Sequence, residues 1–341
     1  MPCPRLDGGR AKRKFEWVER ILVNLMRDIH VGQAAVSIAS VEQTRIRRQR
    51  LFRKISPYLL IFPSVALMAV VILIPLMRGI LMSFSDVNII KQGEMHFIGL
   101  QNYINMISDP VFHIALRNTT MWTIGVVFFQ YIIGLGVALL LNEPIPFRGF
   151  FRGLVLVPWV VPSVVAALDW RWIYVPDYGI LNHILRSIGL INDPLQWLAD
   201  RHTAMMAVII VGVWKSVPFM AVVLLAGLQS IPKELYDAAE VDGASILQRF
   251  LYITMPNLRY LSAIVTMLAI IWTFNDFDIV YVMTKGGPSN ATHLLSTYAY
   301  LSAFTYSDLG YAAAISVFML LILLVFAIIY SRILTKSNES A

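Results

Sequence analysis

Charged and strongly polar residues are scarce in the apolar part of this chain, so their positions mark where chemistry is possible. Lys215 follows Trp214 inside one long apolar run, and Pro218 lies shortly beyond it. In another run Asn275, Asp276 and Asp278 cluster beside Phe274, Phe277 and Tyr281. An ionisable group at membrane depth is costly to keep and usually faces a cavity or a partner. The residue types leave two readings open: the wall of a polar translocation path, or a hydrogen-bond clamp between helices. Asp169 and Arg171, at the end of a third run, suit a local ion pair or snorkelling side chains. No nucleophile, base and orienter fall together, and no GxxxxGK(S/T) loop exists to cradle ATP phosphates. The six histidines and the single Cys3 lack metal-ligand spacing. Neither a catalytic residue nor a metal or cofactor bound by this chain is expected.

What must position these groups is a set of membrane spans. Of 341 residues 57% are hydrophobic and only 14% charged, too few charges to cover a water-soluble domain of this length. About 20 apolar residues cross a bilayer, and six runs qualify: 57–84, 115–141, 151–173, 204–228, 261–283 and 309–333. The expected fold is an all-α integral membrane protein. A basic extension over 1–54 precedes a six-helix domain over 55–335, and a tail covers 336–341. The net charge of +7 lies mostly in that extension, so it speaks of topology and not of nucleic acid. Within the extension Val18, Leu22, Leu25, Met26 and Ile29 recur at helical spacing, which suits either an amphipathic surface helix or an unstructured tail.

Six spans put both termini on one side. Arg148, Arg152, Lys233, Arg249, Arg259, Arg332 and Lys336 fall on that same side as the basic extension, which makes it cytoplasmic. On the other side, segments 97–103 and 177–185 mix turn residues with aromatics and leucines, as docked loops do. Trp159, Trp170, Trp172 and Trp197 fall near span ends, where an aromatic belt is expected.

One cytoplasmic stretch is polar and well capped: IPKELYDAAEVDGASILQRFLYITMPNL, residues 231–258. Pro232 suits a first helical turn, Ala238 and Ala239 leave one face nearly flat, and Gly243 can end the helix in the left-handed conformation. Ser245 with Gln248 reads as a capping box for a second helix that Pro256 would close.

This stretch resembles the EAA motif of permease subunits in binding-protein-dependent ABC importers, through Asp237-Ala238-Ala239, then Gly243, then Ile253 and Pro256. FIGLQNY at 97–103, WKSVPF at 214–219, FNDFDIVYVMTKGGP at 274–288, LSTYAY at 295–300 and DLGYAAAIS at 308–316 are similar to its carbohydrate-uptake branch. The resemblance runs over about residues 55–335, and the basic extension departs from the usual short lead. The resemblance implies an inner-membrane subunit paired with a second permease subunit, as a heterodimer, and with two cytoplasmic ATPases and an external solute-binding protein. The ATPases would use the ATP and Mg. Glu234, Asp237, Ala238, Ala239, Glu240, Asp242, Gly243, Ile253 and Pro256 would form the coupling element. Trp214, Lys215, Asn275, Asp276, Asp278, Tyr281 and Ser316 would line the path of a sugar or sugar-like solute. A non-sugar solute such as a glycerol phosphate or polyol, or ion-coupled secondary transport, are the alternatives.

Overall fold

The longest apolar runs become long helices. The computed structural model describes residues 57–88, 90 and 95–339, with only the backbone over 335–339, and Trp17, Arg20, Val23, Met26 and Phe52 upstream. Apart from Met26, the residues of the expected amphipathic helix lie outside the described residues. The chain divides into two units, residues 1–76 and 77–341. Helix α1 (Pro57–Ser83) starts in the first and ends in the second. A π turn at Ala69–Leu73 interrupts it, with the Ile74 N–H reaching back to the Ala69 carbonyl, just ahead of Pro75.

Beyond α1 a short antiparallel pair, β1 (Ser85–Asp86) and β2 (His96–Phe97), leads to α2 (Gln101–Ser108). Asn102 of α2 is buried and donates to the carbonyls of Ser83 and Ser85 at 3.0 and 3.1 Å, which docks the 97–103 segment as expected. Asp109 then opens α3 (Pro110–Asn142), its Oδ1 accepting the Val111 N–H at 2.8 Å. Its other oxygen accepts hydroxyls from Tyr298 and Tyr311, the latter at 2.6 Å. Burial alone would raise the pKa of this carboxyl, but the two hydroxyls and the helix N–H groups outweigh it and hold the pKa below the ordinary 3.8.

The centre of the second unit is α3 lying along α7 (Ala204–Gln229). Trp122 and Val126 meet Val208 and Val211 there, all buried. Close approach is possible because Gly212 faces the Trp122 ring; a Cβ at that position would sit 2.6 Å from it. Ring area of this kind, removed from lipid or water, gives packing that a smaller side chain could not replace.

Between α3 and α7 the expected span 151–173 is not straight. It is two helices, α4 (Arg148–Val160) and α5 (Ser163–Ile173), bent at 93°. Pro162 explains the break: it offers no N–H and drives Val161 out of helical geometry, to ψ 130°. Among the described residues five helices are long and apolar enough to cross a membrane, and six if this bent pair counts as one.

After α5 comes the short α6 (Ile180–Ser187). Its buried Asn182 donates to the carbonyls of Pro176 and Leu195 and accepts the Trp197 indole N–H at 2.9 Å. The 177–185 loop is thus docked, and Trp197, only 8% exposed and stacked on Tyr174, is an interior residue and not a belt anchor. Trp172, 72% exposed, fits the belt. Of the two readings for Asp169 and Arg171, the local ion pair is not formed: Arg171 donates instead to the Val282 carbonyl at 3.3 Å.

The remaining elements are α8 (Lys233–Val241), α9 (Ile246–Arg249), a π turn at Phe250–Thr254, α10 (Met255–Phe274), α11 (Asp278–Thr284), α12 (Leu295–Phe304) and α13 (Leu309–Glu339). Residues 246–284 form one candidate span of 39 residues, broken after Phe274 and longer than the expected 261–283. Pro256 does not close the second helix of the polar loop. The π turn before it sends the Met255 N–H to the Phe250 carbonyl, five residues back, and the widened turn accommodates a proline that would otherwise clash.

Candidate coupling surface and polar break

The polar loop is built by local rules. Pro232 caps α8, and Glu234 lies in its first turn, where the helix dipole favours an acid. Gly243 takes φ +75°, and the chain closes behind it through Gly243 N–H to the Glu240 carbonyl and Ala244 N–H to the Ala239 carbonyl, 3.1 and 2.9 Å. Ser245 and Gln248 form the reciprocal capping box, with bonds of 3.3 and 2.8 Å.

Two side-chain links tie α8 to the helix that follows. The Tyr236 hydroxyl meets the buried Thr254 hydroxyl at 2.9 Å, and Arg249 pairs with Glu240 at 3.1 Å. Glu240 is therefore engaged within the chain, while Glu234, Asp237, Ala238, Asp242 and Gly243 are exposed and Ala239 is half-buried. Ile253 packs into the cluster that holds Leu228 and Leu258, and Pro256 is exposed. Beside the acids stand apolar side chains that none of the described residues covers: Val241 is 88% exposed and Ile246 80%.

At the far end of α10 the helix breaks. Asn275 ends it, its amide donating to the Ile271 carbonyl at 2.9 Å, and α11 restarts at Asp278. Trp122 donates to the Thr273 carbonyl at 3.0 Å and Ser296 to the Asp276 carbonyl at 2.6 Å, so neighbouring helices satisfy backbone groups that the break releases. One oxygen of Asp276 is buried without a hydrogen-bond partner, and the carboxyl lies close enough to Lys215 and Asp278 to feel both charges. Tyr281 stacks on Phe277 at 4.7 Å between centroids and meets Tyr300 edge-on at 4.9 Å.

Lys215 does something its sequence neighbours did not foretell. Its Nζ donates to the carbonyls of Pro158, Trp159 and Val161, at 3.3 and 3.2 Å for the first two. These belong to the C-terminal end of α4, where the bend strips carbonyls of helical partners and the dipole favours a cation. Trp214 packs edge-on against Trp170 at 5.7 Å. Lys215 and the polar break are brought together. Ser316 is not joined to them by any hydrogen bond; its hydroxyl is spent on the Ala312 carbonyl at 2.9 Å. Trp122, Ser296 and Tyr300 were not foreseen at this site, because nothing local in their sequence says which backbone group each would reach.

A protein-family model described as the inner membrane component of binding-protein-dependent transport systems matches residues 130–337. The chain belongs to that family. A probable ABC transporter permease of Brucella suis is 40% identical over 285 residues, 83% of this chain and 98% of the relative. The trehalose/maltose transport system permease of Thermococcus litoralis is 38% identical over 277 residues, 81% of this chain and 92% of its own. The arabinooligosaccharides transport system permease of Bacillus subtilis is 31% identical over 307 residues, 89% and 96% respectively. A solved bacterial ABC transporter involved in import of the acidic polysaccharide alginate shares the fold, with TM-score 0.74 at 23% identity, over 84% of this chain and 99% of that one. This permease is thus a transport component in the same architecture.

Proposed function

We propose that this permease carries a sugar or sugar-like solute into the cytoplasm, driven by ATPase subunits that seat on the loop 231–258. The observation that carries the reading is the polar break at Asn275–Asp278. There Asn275, Asp276 and Asp278 flank Phe277 in the chain, and the Phe277 ring packs on Tyr281 and Tyr300. Saccharides present hydroxyls to such polar groups and flat C–H faces to such rings, and a site of a few fixed polar groups among aromatics suits them. The Thermococcus litoralis and Bacillus subtilis relatives, named for trehalose/maltose and for arabinooligosaccharides, support the same class.

The exposed acids and uncovered apolar residues of the loop supply the surface for the ATPase. The Ile246–Thr284 span leads from that surface to the break, which suits rigid-body alternating access. A second permease subunit completes the path, and an external solute-binding protein delivers the cargo; one solved alginate ABC transporter is in complex with a pentasaccharide-bound periplasmic protein. Both termini and the loop 231–258 lie in the cytoplasm by the distribution of basic residues. The test is uptake by the reconstituted complex. Saccharides that bind the partnered solute-binding protein should enter vesicles only with ATP, and alanine at both Asn275 and Asp276 should abolish that uptake or change its substrate profile. Uptake driven by an ion gradient without ATP would overturn the reading, and unchanged transport in the double variant would make both residues structural clamps.

A further inference from the structure

A groove of about 1170 Å³ runs between α3 and α7 at the end of the spans opposite the loop 231–258, and its lining holds no acidic residue. Its rim is cationic: Arg117 on α3, with Arg201 and His202 in the turn before α7. Among the described residues neither guanidinium makes an ion pair or a hydrogen bond. Inward from Arg117, α3 presents Met121, Ile124 and Phe129; inward from Arg201, α7 presents Met205, Met206 and Ile209. Both helices therefore show the same order, a charge at the end and then an apolar stripe towards the membrane centre.

Helix α3 has 33 residues, about 50 Å at the helical rise, against a hydrocarbon core of about 30 Å. The excess fits the end that carries His113, Arg117, Asn118, Thr119 and Thr120, polar residues ahead of the apolar run, which suits Arg117 to head-group depth. Guanidinium forks match phosphate oxygens, and the exposed Ser289 adds a hydroxyl at the same rim. We propose that this groove binds an anionic phospholipid of the leaflet opposite the loop 231–258. Arg117 and Arg201 hold its phosphate, and one acyl chain lies along the methionine and isoleucine stripe. A soluble anion would use the rim and leave the stripe empty. An acidic protein segment would pair with the rim arginines and leave the apolar stripe uncovered.

The experiment is native mass spectrometry of the assembled importer, titrated with phosphatidylglycerol or phosphatidylcholine of identical chains. Phosphatidylglycerol should be retained preferentially. With Arg117→Gln and Arg201→Gln together its retention should fall about thirtyfold, in an assembly that stays intact. Met206→Trp, which leaves both arginines in place and obstructs the stripe, should also lower it. Equal retention of the two lipids overturns the proposal, as does full displacement by glycerol phosphate at the lipid's concentration. Efficient cross-linking of Met206→Cys to the second permease subunit would make the groove a subunit interface and overturn it too.

Discussion

Lys215 shows how one side chain can hold an architecture while standing beside a site. Its three carbonyl acceptors lie where the bend between α4 and α5 leaves the backbone unpaired. Hydrogen bonds to a charged group contribute about 1.5–3 kcal/mol each way of counting, so Lys215→Met should destabilise the subunit by about 2 kcal/mol. The readout is the melting temperature of the purified complex, and an unshifted value would reject the capping role. Asp109 gives a second test. A carboxyl whose folded pKa is depressed stabilises the native state fully above its unfolded value, here near 3.8, and loses that contribution as the pH falls through the folded value. Wild-type protein should therefore loosen at the α3, α12 and α13 junction below about pH 4. Asp109→Asn should be less stable at neutral pH and flatter in acid, measured by limited proteolysis across pH. These roles were invisible in the sequence because the partners are backbone carbonyls more than fifty positions away, or hydroxyls about two hundred away.

Elements were more legible than residues. The capping box at Ser245 and the left-handed turn at Gly243 follow from a few adjacent side chains, and the structure has both. The bend at Pro162 was less legible, since the run 151–173 is long and apolar enough to pass for one straight span. The same blindness applied to Trp197, whose place near a span end suggested a belt while its hydrogen bond to Asn182 took it inside. Helix α8 and the span beyond it are joined by one exposed ion pair, worth about 0–1 kcal/mol, and one partly buried hydroxyl contact. The hydroxyl link should thus transmit more. Tyr236→Phe should lower solute moved per ATP hydrolysed while ATPase co-purification persists, and Thr254→Val should do no further harm in the double variant. Additive losses would show that the two hydroxyls act separately.

For the whole molecule, hydropathy gave the spans because a membrane imposes length and apolarity on every crossing segment. What it did not reveal is the geometry of helices that bend or break, which depends on partners far along the chain. Orientation remains the clearest global prediction. In a Cys3→Ser background, Ser187→Cys should react with an impermeant maleimide from outside intact cells, and Ser245→Cys only after permeabilisation. The opposite pattern would invert the expected sides and overturn the proposed role of the loop 231–258.

The π turns at Ala69–Leu73 and Phe250–Thr254 each precede a proline by one residue. Such a turn holds one residue more than the α-helical count, so it sets the two halves of a helix about 100° out of phase. In the span 246–284 that phase decides which way the exposed face of the loop 231–258 points relative to Asn275. Loss of one residue there, with Pro256→Ala to let an ordinary helix form, would shorten the chain trivially. Yet it would swing the loop about a quarter turn around the span, so the proposed coupling to an ATPase should fail while the span itself persists.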